Sequence, residues 1–505
     1  MGHALEVLKG RTAAFPLNCE RYPAFERDWR EEYLRMLLVN TISGVFYASE
    51  EMLGEHALAL HRFAADENPD FMARALVYAR NEGFMRLQPL IGLAVLSLAA
   101  PRCFALVFDR VVITVADLVE FTLALQSLGR GQGGRLVKKL ACARLERLDE
   151  YETLKYSGDG RGYSLKDLLR VYHPKPGNET VQALFQYIAG KSGPDGPDPR
   201  LLPRIAAFER LKRIDVRENL SEAVELIRAG QIPWNALTGS VAGMSPELWR
   251  ALLPDMTLFS LLRHLATLAR NGVFTQAEPQ PGIVERFSNP EIIRKAKILP
   301  FRFASAWSMV DVPWLRRALE KAVELSADAL PEIPGRTAVL LDISGSMSGQ
   351  MLQAGALLAL SILRKSEGDT FIRLFNTESI PFATRPGESI LAAASRIEAS
   401  GGTNTGVSVR EMIASRVFCD TIVIVTDEQQ NTGSPFFNVL KGYRRKVNAE
   451  VRVFVVNVSP YQFAMVPPED ENTFYCYGWS DRIVSFIADS IRGYGDLVEI
   501  VRALE

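Results

Sequence analysis

The sequence is poor in cysteine, has no excess of charge of either sign and contains no long apolar run. Its five cysteines in 505 residues form no CxxC pair, which argues against a disulfide framework and favours a reducing, cytoplasmic setting. Lysine and arginine total 58 against 59 acidic residues, so a polybasic nucleic-acid coat is excluded and any anion-binding surface must be local. The longest apolar stretch, residues 89–100, is too short to span a bilayer. We therefore expect a protein with no membrane contact.

Residues 1–334 have the periodicity of one helix after another. Gly- and Pro-rich turns, among them residues 129–134 and 192–200, interrupt this pattern. Many short helices in succession predict stacked helical pairs of the HEAT or armadillo kind, although no repeat of fixed period is visible. Apolar residues recur three and four positions apart in 27–39, 70–80, 115–128, 135–148, 203–214 and 219–228.

After Pro334 the pattern changes to short β-rich runs that alternate with helical stretches. Near-continuous apolar strands between helices are typical of a parallel sheet covered on both faces. We predict a doubly wound α/β domain over residues 335–505, preceded by an all-α domain over residues 1–334. The predicted strands are 337–343, 371–376, 421–427 and 451–458, and the predicted helices between and after them are 349–365, 388–399, 405–416, 435–446 and 481–491.

Oxygen-bearing side chains follow three segments of the predicted α/β domain. Asp342, Ser344 and Ser346 alternate after the first strand, Thr403 lies in a GGTNT segment, and Asp427 closes the TIVIVTD strand. Ligands of open α/β sheets bind at the carboxyl ends of strands. Oxygen donors without His or Cys favour Mg²⁺, Mn²⁺ or Ca²⁺ over Zn²⁺. A DxSxS run also fits a helix N-cap followed by turn-forming serines, so the run does not by itself establish a metal site.

The three segments together resemble the von Willebrand factor A domain with its metal-ion-dependent adhesion site. On this resemblance Asp342, Ser344, Ser346, Thr403 and Asp427 are the coordinating positions, and the pattern is intact. Mg²⁺ is the expected ion. Such a site leaves one coordination position for a carboxylate of a partner protein, which makes the domain a binding module and not a catalyst.

Basic residues cluster in two stretches of the helical half. Lys166 and Arg170 share a helix face, and Tyr172 and His173 are candidates for stacking on bases. Fixed arrays of cations are what RNA phosphates require. In an unrelated chain such residues are more often a solvated helix face. The candidate RNA-binding residues are Arg161, Lys166, Arg170, His173 and Lys175 in the first stretch, and Arg135, Lys138 and Lys139 in the second.

Two stretches of the helical half are similar to the TROVE module of the Ro autoantigen family. They are residues 163–176, with the SLKDLL and HPKP runs, and residues 254–274, which ILPFR at 298–302 follows; residues 29–50 are similar more loosely. The resemblance implies a helical-repeat ring followed by an A domain. It implies binding of the ends of misfolded structured noncoding RNAs in the hole of the ring and of Y-type RNAs on its outer surface.

We therefore predict a Ro-type RNA-binding protein without enzymatic activity, which acts in RNA quality control or as a ribonucleoprotein scaffold. The resemblance also implies cooperation with an exoribonuclease, and the expected oligomeric state is a monomer. The alternative is a protein–protein adaptor, in which the metal site captures a partner and the helical solenoid binds a peptide. A cationic opening would favour RNA, whereas an apolar groove would favour the peptide.

Overall fold

The fold is taken from a computed structural model of the chain. It describes residues 16–39, 49–156, 163–192, 196–240, 244–459, 461, 463–478, 482–491 and 497–504.

The described part of residues 16–328 contains helices and no strand longer than an isolated bridge. Most of these helices span two to four turns. In chain order they are α1 Trp29–Val39, α2 Glu50–Glu67, α3 Pro69–Asn81, α4 Leu87–Ala99, α5 Pro101–Val111, α6 Val115–Ser127, α7 Arg135–Glu146, α8 Glu150–Tyr156, α9 Leu165–Tyr172, α10 Glu179–Ile188, α11 Pro203–Arg213, α12 Leu220–Gly230, α13 Trp234–Ser240, α14 Pro246–Leu252, α15 Leu258–Arg270, α16 Gln280–Ser288, α17 Pro290–Ala296, α18 Pro300–Ser308 and α19 Pro313–Asp328.

Local sequence explains where several of these helices begin. Thr114 and Ser164 each form a capping box with an aspartate three residues later, which starts α6 and α9. Asn68 caps α3, and proline follows it at the first helical position. Aromatic side chains then pack adjacent helices together: Phe104 and Phe108 of α5 lie 5.9 and 5.7 Å from Phe121 of α6, measured between ring centroids.

The described residues from 337 onward form a six-stranded sheet with helices between its strands. The strands are β1 Thr337–Asp342, β2 Phe371–Phe375, β3 Ser379–Phe382, β4 Thr421–Thr426, β5 Arg452–Asn457 and β6 Thr473–Tyr477. The helices are α20 Gln350–Lys365, α21 Ile390–Ala394, α22 Val407–Ala414, α23 Phe436–Lys446, α24 Arg482–Ile491 and α25 Leu497–Arg502.

The strand order is β3-β2-β1-β4-β5-β6, and each neighbouring pair is parallel except β2 and β3. The order reverses between β1 and β4, both of which are buried along their whole length. A doubly wound sheet opens a crevice at such a reversal, outside the carboxyl ends of the two strands. Asp342 ends β1, and Thr426 ends β4 beside it.

The prediction of an all-α region followed by a doubly wound α/β domain is confirmed. The four predicted strands are present within one or two residues of their expected ends. The sequence analysis missed β3 and β6. β3 is a four-residue antiparallel edge strand that contains Pro381, and proline is tolerated in a sheet only at such an edge.

The chain folds into two compact units, and the boundaries of these units differ from the predicted boundary between residues 334 and 335. One compact unit is formed by residues 61–326, and the other by residues 1–60 together with 327–505. In the second unit, the described residues near the N-terminus pair with the α/β fold: Phe25 and Ala464 form an antiparallel bridge. The boundary between functional domains at residue 334 stays a prediction.

Candidate functional sites

The crevice at the strand reversal is lined by the predicted oxygen donors of β1. The carboxylate of Asp342 is fully buried, and its two oxygens accept hydrogen bonds from the Ser344 backbone N–H at 2.9 Å and the Thr426 hydroxyl at 2.6 Å. These bonds fix the carboxylate between β1 and β4. The hydroxyls of Ser344 and Ser346 lie 3.3 Å apart, and Ser346 is partly exposed. The edge of the cluster at Ser346 is therefore open to solvent.

The loop at residues 400–405 is bonded directly to the loop after β1. The Ser400 N–H donates to the Ile343 carbonyl at 2.7 Å, and the Gly345 N–H donates to the Gly401 carbonyl at 3.0 Å. Thr403 is buried, and its N–H donates to Asn431 Oδ1 at 2.9 Å. The structure therefore brings together the three segments that the sequence analysis selected.

Asp427 follows β4 and completes the cluster. It is fully buried, Oδ1 accepts from the Gln429 N–H at 3.1 Å, and Oδ2 is buried without a hydrogen-bond partner. Burial, and after it the negative charge of Asp427, raise the pKa of Asp342 to about 7. Burial also raises the pKa of Asp427, against the opposing effect of the nearby Ser346 hydroxyl. The site thus concentrates negative charge away from water.

A divalent cation suits this arrangement. Buried carboxylates are stable when they are paired or bind a metal, and the unpartnered Asp427 Oδ2 is an oxygen that a cation would satisfy. Among the described residues no group of three or more His, Cys, Asp or Glu could hold a metal. A cation here would therefore draw on the serine and threonine hydroxyls as well, and such an all-oxygen donor set suits Mg²⁺.

Two residues that support this cluster were missed by the sequence analysis. Thr426 was seen only as the residue before Asp427, yet its hydroxyl fixes Asp342. Gln430 accepts from the Thr405 hydroxyl at 2.6 Å and donates to the carbonyls of Thr432 and Ser434 at 2.8 Å, so it ties the second loop to the third. The register of β1 against β4 would have indicated Thr426, whereas nothing local marks Gln430.

A buried ion pair adjoins the cluster, because its member Glu428 directly follows Asp427 in the chain. Arg27 and Glu428 are 2.5 Å apart, and each side chain is 1% exposed. Burial lowers the pKa of Arg27, but the charge of Glu428 together with the neighbouring Tyr477, Tyr475 and Glu32 outweighs it, and the pKa lies well above its ordinary value. Arg27 also donates to the Tyr477 hydroxyl and the Phe463 carbonyl, both at 3.2 Å, and its guanidinium lies 4.5 Å from the Tyr475 ring centroid.

The backbone of Glu428 is left-handed, with φ at 61°, a conformation that is uncommon for a residue other than glycine. Its carboxylate also accepts from Asn457 Nδ2 and from the Met465 N–H, at 2.5 and 2.8 Å. Asn18 Nδ2 donates to the Gln430 carbonyl at 2.8 Å, and the Cys19 N–H donates to Gln429 Oε1 at 2.9 Å. Residues 18–27 therefore position the 427–430 loop through these hydrogen bonds and through the Arg27–Glu428 ion pair.

The predicted RNA-binding cations lie on two adjoining helices of the unit formed by residues 61–326. Helix α9 packs against α7, and the Cys142 thiol approaches the Tyr172 carbonyl to 3.4 Å. Lys166, Arg170, His173 and Lys175 are exposed on and after α9; Arg135 and Lys139 are exposed and Lys138 half-buried on α7. The two stretches thus belong to one neighbourhood, which we call the α7/α9 surface.

Most cations of the α7/α9 surface are free of ion pairs within the described structure. Arg170 lies 3.3 Å from Asp167, and both side chains are well exposed, so the pair is weak. His173 ends α9 with φ at 48°, which turns the chain toward Lys175. Arg161 lies outside the described residues. Tyr172 is not available for stacking, because it is buried with its hydroxyl 2.9 Å from that of Thr122.

Several other polar or glycine-rich features of the chain have structural roles. Residues 129–134 connect α6 to α7, as expected for a turn between helices. His61 is buried 3.1 Å from Gln88 Oε1, and burial lowers its pKa to about 4. All five cysteines are free. Within the described ranges, none of the helices combines the length and apolar character that a membrane span requires.

A concavity of about 400 Å³ in the unit of residues 61–326 bears on the peptide-binding alternative. It is lined by Leu211 and Val216, but also by the charged Lys212, Asp215 and Arg217. A groove that binds an amphipathic helix is lined by apolar side chains. The charged side chains that line this concavity do not fit such a groove.

Comparisons with known proteins agree with both halves of the fold. Residues 336–491 match the family described as the Ro60 vWA domain, and residues 216–329 match the TROVE domain; together the two matches cover more than half of the chain. The crystal structure of the Deinococcus radiodurans RO (RSR) protein is similar, with 20% identity and a TM-score of 0.69 over 92% of this chain and 100% of that chain. The TROVE match contains the 254–274 and 298–302 stretches, whereas residues 163–176 lie outside it.

Proposed function

This chain belongs to the Ro autoantigen family and is an RNA-binding protein of the Ro type, and on that premise we propose that it binds ends of misfolded structured noncoding RNAs, Y-type RNAs, or both. Its role would be in RNA quality control or as the scaffold of a ribonucleoprotein. The observation that carries the proposal is the TROVE match combined with the cations of the α7/α9 surface, most of which form no ion pair within the described structure. The chain has a net charge of -1, so these cations are a local feature.

The α7/α9 surface would bind RNA through phosphates. Lys166 and Arg170 extend from one face of α9, and Lys139 extends from the neighbouring α7. Cations that neutralise phosphates release condensed counterions, so affinity should fall steeply as salt is raised. Contacts with phosphates give no selectivity for the base sequence. Selectivity would then come from RNA shape and from a free single-stranded end.

The oxygen cluster would supply a second binding activity. Asp342, Ser344, Ser346, Thr403 and Asp427 would hold Mg²⁺, and the partly exposed side at Ser346 would let a carboxylate of a protein partner reach the ion. An exoribonuclease that degrades the bound RNA is one partner of this kind. We propose no catalytic step, and we expect the protein to act as a cytoplasmic monomer.

A variant with Lys166→Gln, Arg170→Gln and His173→Gln tests the RNA-binding proposal. We expect it to bind a structured RNA with a single-stranded tail roughly tenfold or more weakly at moderate salt, because up to three phosphate contacts are lost. The plot of log affinity against log salt concentration should also become flatter. Fluorescence anisotropy of labelled RNA over a series of salt concentrations measures both quantities.

The matched control is Arg200→Gln. Arg200 is exposed in the same unit, but it is paired with Asp198 at 2.8 Å and lies apart from α7 and α9 in sequence. The Arg200→Gln variant should bind RNA as the wild type does. If the triple variant kept the affinity and the salt slope of the wild type, the α7/α9 surface would not be the RNA-binding surface.

A further inference from the structure

Helices α15 and α18 each carry an arginine over a phenylalanine ring, and the ring on α15 is exposed. On α15 the guanidinium carbon of Arg263 lies 5.8 Å from the centroid of the Phe259 ring, and on α18 that of Arg302 lies 4.8 Å from the centroid of Phe301. Phe259 is 42% exposed, and both arginines are exposed. An exposed aromatic ring beside a cation offers a base both a stacking surface and a nearby positive charge.

The pattern of α15 places these groups on one side of the helix. Leu258, Leu261, Leu262, Leu265 and Leu268 are its buried residues. Phe259, Arg263 and Arg270 follow one another at intervals of four and seven residues, so they share the opposite, exposed face. Helix α18 packs against α15. The two stacks therefore belong to one surface, which we call the Arg–Phe surface.

The Arg–Phe surface has cations without counter-charges. Across the described residues, neither Arg263 nor Arg302 has a carboxylate within ion-pair distance, and Arg270 contacts a backbone carbonyl and the Thr267 hydroxyl. Burial, and after it the positive charge of Arg263, lower the pKa of Arg302. Since α15 and α18 also pack against each other, an anion bound between the two guanidinium groups would be stabilised by both positive charges.

We propose that the Arg–Phe surface binds a single-stranded segment of RNA, with bases stacked on the Phe259 ring and on the guanidinium planes, and with a phosphate held between Arg263 and Arg302. This inference rests on the proposed RNA-binding function and gives it a second contact surface besides α7/α9. Single-stranded nucleic acid is bound by this combination of aromatic platforms and cations, largely without regard to sequence. An acidic peptide would satisfy the charges, but it would leave the exposed ring without a role.

The test compares two RNAs that share a duplex, one blunt and one with a single-stranded oligouridine tail. Phe259→Ala combined with Arg263→Gln should raise the Kd for the tailed RNA roughly 5- to 100-fold, the range expected for loss of a stacked base. The Kd for the blunt duplex should change little. Arg263→Gln with Arg302→Gln should flatten the salt dependence by about 1.4 in slope, near 0.7 for each lost cation.

The control is Arg294→Gln on α17, an exposed arginine 3.5 Å from Glu291, which should bind both RNAs as the wild type does. Thermal unfolding checks that each variant folds. The single variant Phe259→Ala is included because its change lies at an exposed position and should leave the fold intact. Wild-type affinity of both double variants for the tailed RNA would overturn the Arg–Phe surface and leave the proposed function standing. A wild-type protein that binds neither RNA would overturn the proposed function itself. Binding of polyglutamate at Arg263 and Arg302 in place of the tailed RNA would assign the surface to a protein partner and refute our proposal.

Discussion

Replacing Arg27 by methionine is expected to lower the free energy of unfolding by about 3 to 5 kcal/mol. Methionine leaves Glu428 buried, since that side chain is 1% exposed and lies 2.5 Å from Arg27, and a buried charge that has lost its partner is strongly destabilising. The loss of the hydrogen bonds to Tyr477 and Phe463 adds to the effect. Urea denaturation followed by circular dichroism measures the change.

Arg30→Met is the control for this prediction. Arg30 lies three residues after Arg27, in α1, but its ion pair with Asp28 is 3.6 Å long with side chains that are 27% and 44% exposed, so its loss should cost less than about 1 kcal/mol. A double variant with Arg27→Met and Glu428→Gln should recover part of the stability, because the uncompensated charge is gone. Equal stabilities of the Arg27 and Arg30 variants would show that the ion pair does not stabilise the fold.

Mg²⁺ is expected to stabilise the wild-type protein, and Asp342→Asn is expected to abolish that stabilisation. A ligand that binds only the folded state at 100 times its Kd contributes about 2.7 kcal/mol. The amide of asparagine removes one of the two carboxylate charges that draw a cation into the buried cluster. Thermal unfolding in EDTA and in a series of MgCl₂ concentrations measures the difference, and isothermal titration calorimetry measures binding directly.

Asp369→Asn is the matched control for the metal prediction. It makes the same chemical change at an exposed residue before β2, outside the three loops of the cluster, and should retain the full response to Mg²⁺. The opposite outcome, a wild type that neither binds Mg²⁺ in calorimetry nor gains stability from it, would refute the proposed site. It would leave the two buried carboxylates as a structural feature.

The parts of the fold that the sequence predicts well are those with a strong local signal. β1 and β4 are runs of apolar residues buried along their whole length, and such runs are easily recognised. β3 and β6 have four and five residues with mixed burial, so no periodicity distinguishes them. β3 exists because an edge was available beside β2, which is a property of the sheet and not of the segment.

The oxygen cluster was predictable because its donors lie at strand ends, and parallel strands bring those ends together. The Arg27–Glu428 pair was not, because 401 residues separate its members and nothing near Arg27 indicates a partner. Tyr172 shows a related limit. Its place in a basic stretch suggested a stacking group, yet its position on α9 points it to the core. The Arg–Phe surface is not evident in the sequence, because its two parts lie on α15 and α18, which are separate in the chain and come together only in the fold.

The bond between Arg27 and Glu428 also constrains when the sheet unit can be completed during synthesis. Ribosomes add about 5 to 20 residues per second, so Glu428, which lies 401 positions after Arg27, is added roughly 20 to 80 s later at that rate. Residues 61–326 form a compact unit of their own and can fold in that interval. The Arg27 guanidinium must meanwhile stay without this partner, so the segment at residues 18–27 can take its place in the sheet unit only after Glu428 has been made.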